Sequence, residues 1–145
     1  MNYNQVVKEI NDVLMDHPMI QEVQFNTPVA WLNQNFVPSF PVASYVINSG
    51  QLNAGREQVY RIDIWLLDKA GNEAEYETDI ISDMHGVAYD ILQKLRQQFN
   101  AYTISNSVSW TALSEKFEDY LSGVRFSFDL SGVRDYGACD VPSKS

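Results

Sequence analysis

A chain of 145 residues, 45% hydrophobic and 20% charged, is long enough for one domain with a sizeable core and too apolar to be disordered. Nineteen acidic against ten basic residues give a formal charge of −9, which disfavours nucleic-acid binding by charge neutralisation. The single cysteine, Cys139, cannot form an internal disulfide, and no apolar run approaches the roughly 18 residues of a membrane span.

The opening stretch, MNYNQVVKEINDVL, has no basic leader region and no long apolar core, so no signal peptide is expected. With one thiol and no span, the expectation is a soluble protein made in a cytoplasm. Val6, Val7, Ile10, Val13 and Leu14 recur at helical spacing and predict an amphipathic helix over about residues 3–16, ended by Pro18. Residues 19–25, MIQEVQF, read as a short strand. Residues 26–40, NTPVAWLNQNFVPSF, show neither period but hold Trp31, Leu32, Phe36 and Phe40. A loop of this length inside a compact domain is uncommon. It either folds back over the core or forms an apolar arm for a neighbouring subunit.

Two strands are expected next, at residues 41–48 and 57–68, joined by SGQLNAGR. In the second, Tyr60, Ile62, Ile64 and Leu66 share one face, while Arg61, Asp63, Trp65 and Leu67 share the other. Both faces are thus partly apolar, as in a sheet with a helix on one side and a partner on the other. DKAGNE, residues 68–73, reads as a turn.

The strongest periodicity follows. Ile80, Ile81, Met84, Val87, Ala88, Ile91, Leu92, Leu95 and Phe99 lie within one arc, predicting a helix over about 78–99 packed on the sheet. Thr78 is the expected N-cap, and early Asp79 and Asp83 with late Lys94 and Arg96 suit the helix dipole. Residues 101–110 alternate as one half-buried strand with Tyr102, Ile104, Val108 and Trp110 inward. In SEKFEDYLSG, Phe117, Tyr120 and Leu121 make a small apolar face and Gly123 suits a left-handed position after a turn. A last strand alternates Val124, Phe126, Phe128 and Leu130 with Arg125, Ser127, Asp129 and Ser131. The whole predicts an α+β fold, with a mixed, mainly antiparallel sheet packed against a long amphipathic helix and an N-terminal helix.

Chemistry is harder to find. Glu115, Glu118 and Asp119 cluster in sequence, yet their spacing puts them on the wet side of a connector, away from any desolvated cleft. His17 sits at a helix end beside Pro18, and His85 lies on a helix flank, two residues from Asp83 and so facing elsewhere. Cys139 stands next to Asp140, which opposes thiolate formation. Neither a glycine-rich phosphate loop nor a nucleophile elbow is present. The residues therefore predict no enzyme, no cofactor and no metal site.

The element order resembles that of small neck and tail-completion proteins of tailed bacteriophages, especially those of Bacteroidetes hosts. The resemblance is carried by the N-terminal helix and by FVPSFPVASYVI, YRIDIWLLD, TDIISDMHGVAYDILQKL, SEKFEDYLSGVRFSFDL and the terminal CDVP. It spans most of the chain and fits both tail terminators and head–tail connectors. It implies a structural virion protein, assembled in the host cytoplasm, forming a cyclic and often sixfold ring at the neck or tail end. The implied partners are sister copies, the tail tube and the portal or connector, with DNA passing through unbound. Subunit contacts are expected at Trp31, Leu32 and Phe36, then at Leu52 and Asn53, and at Tyr136 and Val141. For each, packing within the subunit is the alternative. The competing reading of the whole chain is a monomeric or dimeric acidic binding or adaptor module without catalysis.

Overall fold

The structure is a computed structural model that describes residues 3–25, 40–69, 74–98, 102–113 and 121–133. Among the described residues two α-helices and six strands follow one another as α1 (Tyr3–Asp16), β1 (Glu22–Phe25), β2 (Val42–Leu52), β3 (Glu57–Lys69), α2 (Ala74–Gln98), β4 (Tyr102–Ile104), β5 (Ser109–Leu113) and β6 (Leu121–Val133), with a short 3-10 turn at Ala54–Arg56. The strands form one mixed sheet in the order β1-β2-β3-β6-β4, with β5 also on β6. Only β1 runs parallel to its neighbour; every other pairing is antiparallel. The fold is α+β, as the sequence predicts.

Both helices cover one face of this sheet. From α1 the buried residues are Val6, Ile10, Val13 and Leu14, the 3.6-residue stripe read from the sequence. From α2 they are Met84, Val87, Ala88, Ile91 and Leu95. They meet Ala43, Tyr45 and Ile47 of β2, Ile62, Ile64 and Leu66 of β3, and Val124, Phe126, Phe128 and Leu130 of β6 in one continuous core. Alternation along each strand puts these residues on a single face. Beneath α1, the Tyr45 hydroxyl lies 3.3 Å from both the Val7 carbonyl oxygen and Asn11 Oδ1. Burial, with smaller contributions from Tyr3 and Asp12, pushes its pKa up to about 12.

Several boundaries differ from the expectation. Strand β2 runs on to Leu52, through the polar SGQL that reads as a connection, with a bulge between Ile47 and Ser49. Helix α2 begins at Ala74, so Thr78 lies inside it and caps nothing. Asp68 and Lys69 belong to β3, and the rest of the expected turn lies outside the described residues. The expected strand over 101–110 is broken into β4 and β5. Ile104 faces Leu130 and Ser109 faces Ser127, so five residues advance on one side for three on the other. Two inserted residues keep the inward parity, which is why Ile104 is buried and Val108 still packs on the core.

Gly123 is not a left-handed cap. It lies in β6 opposite Leu67, where an L-residue's Cβ would sit 1.8 Å from the Leu66 carbonyl oxygen. The close approach of two backbones demands glycine there. Gly86 differs, because on the exposed side of α2 an added Cβ meets nothing within 4 Å. Gly86→Ala should therefore stabilise the protein by about 0.5–1 kcal/mol through helix propensity. Gly123→Ala should destabilise it by about 1–3 kcal/mol by forcing the strands apart. Urea unfolding of the two variants checks the opposite signs.

Candidate subunit interface

The second face of the sheet begins as the odd-numbered side of β3 and β6. At one end, Val42, Leu67 and Leu113 form a separate small buried cluster, with Phe40 and Trp65 packed against it. Lys69 Nζ stands 6.0 Å from the centre of the Phe40 ring. Towards the middle the face becomes polar. Asp63 accepts a 2.5 Å hydrogen bond from the Ser127 hydroxyl and lies 3.6 Å from the Arg125 guanidinium. That guanidinium also lies 5.1 Å over the Trp65 ring. Further along, Arg61 and Asp129 approach to 3.6 Å, both about half exposed. The arrangement converts a mostly buried carboxylate into a satisfied one and leaves Trp65 half covered by a cation.

The other end of the sheet carries the junction between β2 and β3. The Asn53 N–H donates to the Glu57 carbonyl oxygen at 2.9 Å, and Asn53 Nδ2 donates to Glu57 Oε1 at 2.7 Å. Asn53 thus closes the turn, with Gly55 at a φ of 76°. Leu52, its neighbour, is 87% exposed. Of the two expected contact residues here, one is held by the hairpin and one projects into solvent. Trp31, Leu32, Phe36, Tyr136 and Val141 lie outside the described residues, as do Glu115, Glu118, Asp119 and Cys139.

Trp110 departs from the expectation of an inward core residue. It stands on the helix-facing side, opposite Phe126, but at the margin of the sheet, where the His85 ring of α2 stands against it. The two rings meet edge-on at 4.8 Å, and Trp110 remains 53% exposed. The break in the alternating pattern at SNS is the sequence signal of a margin. His17 behaves as a boundary residue. Its Nε2 lies 3.1 Å from Asp90 Oδ2 and its Nδ1 accepts the Met19 N–H, so it ties the end of α1 to α2. Among the described residues, no group of three or more His, Cys, Asp or Glu is placed to hold a metal ion. No described helix is long and apolar enough to cross a membrane.

Comparison with known proteins adds no relative: no family model matches the chain, and no curated protein is similar to it.

The two ion pairs on the second face should differ in weight. Asp63→Ala strands the Ser127 hydroxyl and the Arg125 charge, and should cost about 1–3 kcal/mol. Arg61→Ala removes an exposed pair and should stay within about 0.5 kcal/mol of the parent. Denaturant midpoints of the two variants measure this directly.

Proposed function

We propose that the protein is a structural component of a tailed-phage particle, assembling into a closed ring at the neck or tail end as a tail terminator or head–tail connector. The observation that carries this reading is a sheet with apolar groups placed outside its own helix-covered core. The second face has the Val42, Leu67 and Leu113 cluster with half-buried Trp65, while Leu52 and Trp110 stand exposed at different margins. Leu52 and Trp110, with the uncovered part of Trp65, are the groups that a contact with another chain would cover. The resemblance to phage neck and tail-completion proteins names the kind of contact, a cyclic assembly of sister copies.

Charge agrees with a conduit for DNA. The exposed sides of α1 and α2 carry Glu9, Asp12, Asp16, Asp79, Asp83 and Asp90, and the chain bears a formal charge of −9. A lumen of that sign would let a polyanion slide without gripping it. The function is mechanical: joining, capping and keeping a channel open.

Electron microscopy and native mass spectrometry of the purified chain test this, alone and mixed with tail tubes of the phage that encodes it. The expected result is a ring with a central opening, seated at a tube end in the mixture. Monomers or dimers under both conditions would contradict the reading and favour an adaptor.

A further inference from the structure

The 29 charged residues of this chain are spread unevenly. Residues 26–55 contain no Asp, Glu, Lys or Arg, and neither do residues 97–114. Within the described part these two blanks are β2 with its turn, and β4 with β5. The central strands β3 and β6 do carry charges, as do both helices. Yet among the described residues β2 beyond its short partner β1, and β4 with β5, are the open margins of the sheet. Monomeric proteins normally guard such margins with lysine, other charges or proline. Residues 49–52 and 109–113 have neither charge nor proline, and what interrupts the two margins is the bulge of β2 and the break between β4 and β5.

The ladder also fixes which backbone groups point outward. The Asn53 N–H bond to the Glu57 carbonyl makes that pair a hydrogen-bonded one. Alternation along the antiparallel register then turns the N–H and C=O of Gly50 and Leu52 away from β3. The Ser105 N–H bond to the Asp129 carbonyl gives the phase on the other side. From it, Trp110 and Ala112 of β5 turn their N–H and C=O away from β6. The Ile47 carbonyl, outward by the same rule, is already taken by the Tyr3 hydroxyl at 3.0 Å, so the open part of β2 begins after the bulge. Ser49, Gly50, Gln51 and Leu52 are all exposed, and so are Ser109, Trp110, Thr111 and Ala112. Each margin offers two N–H and two C=O groups at the same i, i+2 spacing.

We infer that these two margins pair with each other between copies: residues 49–52 of one subunit add to residues 109–113 of the next, so that the sheet continues from chain to chain. The inference rests on the ring reading and names its contact. A strand is the partner that satisfies a row of outward backbone groups. A sister copy is the partner that supplies a matching row of equal length. Two chains of charge −9 repel, and they approach most readily where neither carries a charge. Because the two margins differ, the contact is head-to-tail, the type of interface that closes into rings.

Proline at an outward position removes a donor and blocks the approach without touching the ladder inside the subunit. Leu52→Pro and Ala112→Pro are therefore the test variants, each checked for an unchanged urea midpoint. Native mass spectrometry at about 100 µM, under the condition that gives the wild-type ring, should show each variant as a monomer. Mixed one to one, they should form a two-chain species holding one copy of each, through the single pair of margins left intact. A ring persisting in either variant, two-chain species of either variant alone, or a mixture that stays monomeric would overturn the pairing while leaving the ring reading standing. A wild-type chain that forms no ring overturns both.

Discussion

The ladder between β3 and β6 governs the rest of the fold, because its thirteen consecutive pairs set the phase of every other strand. With side-chain period two, that register decides which residues face the helices, and a slip of one position would reverse both faces. It places Ile62, Ile64 and Leu66 beside Phe128, Phe126 and Val124 under α2. It also places Asp63, Trp65 and Leu67 beside Ser127, Arg125 and Gly123 on the second face. Gly123 holds the ladder at its tightest point, where no side chain fits between the backbones. The same phase turns Leu52 and Ala112 outward at opposite margins.

Two physical demands are thus met on separate parts of one sheet. Folding is secured by the helix-covered face, whose aliphatic and aromatic residues are withdrawn from water. In the ring reading proposed above, assembly would use the margins, where Leu52 and Trp110 stand exposed. The polar centre of that face, Asp63 with Ser127 and Arg125, keeps a carboxylate satisfied at the middle of the sheet. Charges sit on the helices, on β1 at Glu22 and on the central strands, while residues 42–52 and 102–113 have none. For a protein that must stay dissolved as a single chain, this distribution would invite edge-to-edge association. For one that works as an assembly, it marks where association is meant to happen.

Much of this was legible in the residues. Helix α1 was read to its boundaries because Val6, Ile10, Val13 and Leu14 repeat strictly and Pro18 stops the pattern. The alternations of β3 and β6 were equally plain. Legibility failed where tertiary contact overrides local chemistry. SGQL has turn composition, yet it is held extended by pairing with residues 58–61. Thr78 is a good capping residue, but α2 starts a turn earlier. Trp110 has the inward parity that alternation gives it, yet with the His85 ring beside it the indole stays about half exposed, something that no periodicity encodes. Gly123 reads as a cap because sequence shows that glycine is required without showing why. At the candidate interface, Leu52 was found exposed, whereas Asn53 serves its own hairpin. The outward phase of the margins needed two particular hydrogen bonds, Asn53 to Glu57 and Ser105 to Asp129, which a sequence does not display.

Amide hydrogen exchange, read residue by residue on the assembled and the dissociated protein, tests the central claim most directly. Gly50, Leu52, Trp110 and Ala112, whose N–H groups have no partner among the described residues, should become protected on assembly. Amides of the core-facing turns of α2 should be unchanged. Exchange at those four positions that is equally fast in both states, with new protection on the helices instead, would contradict it.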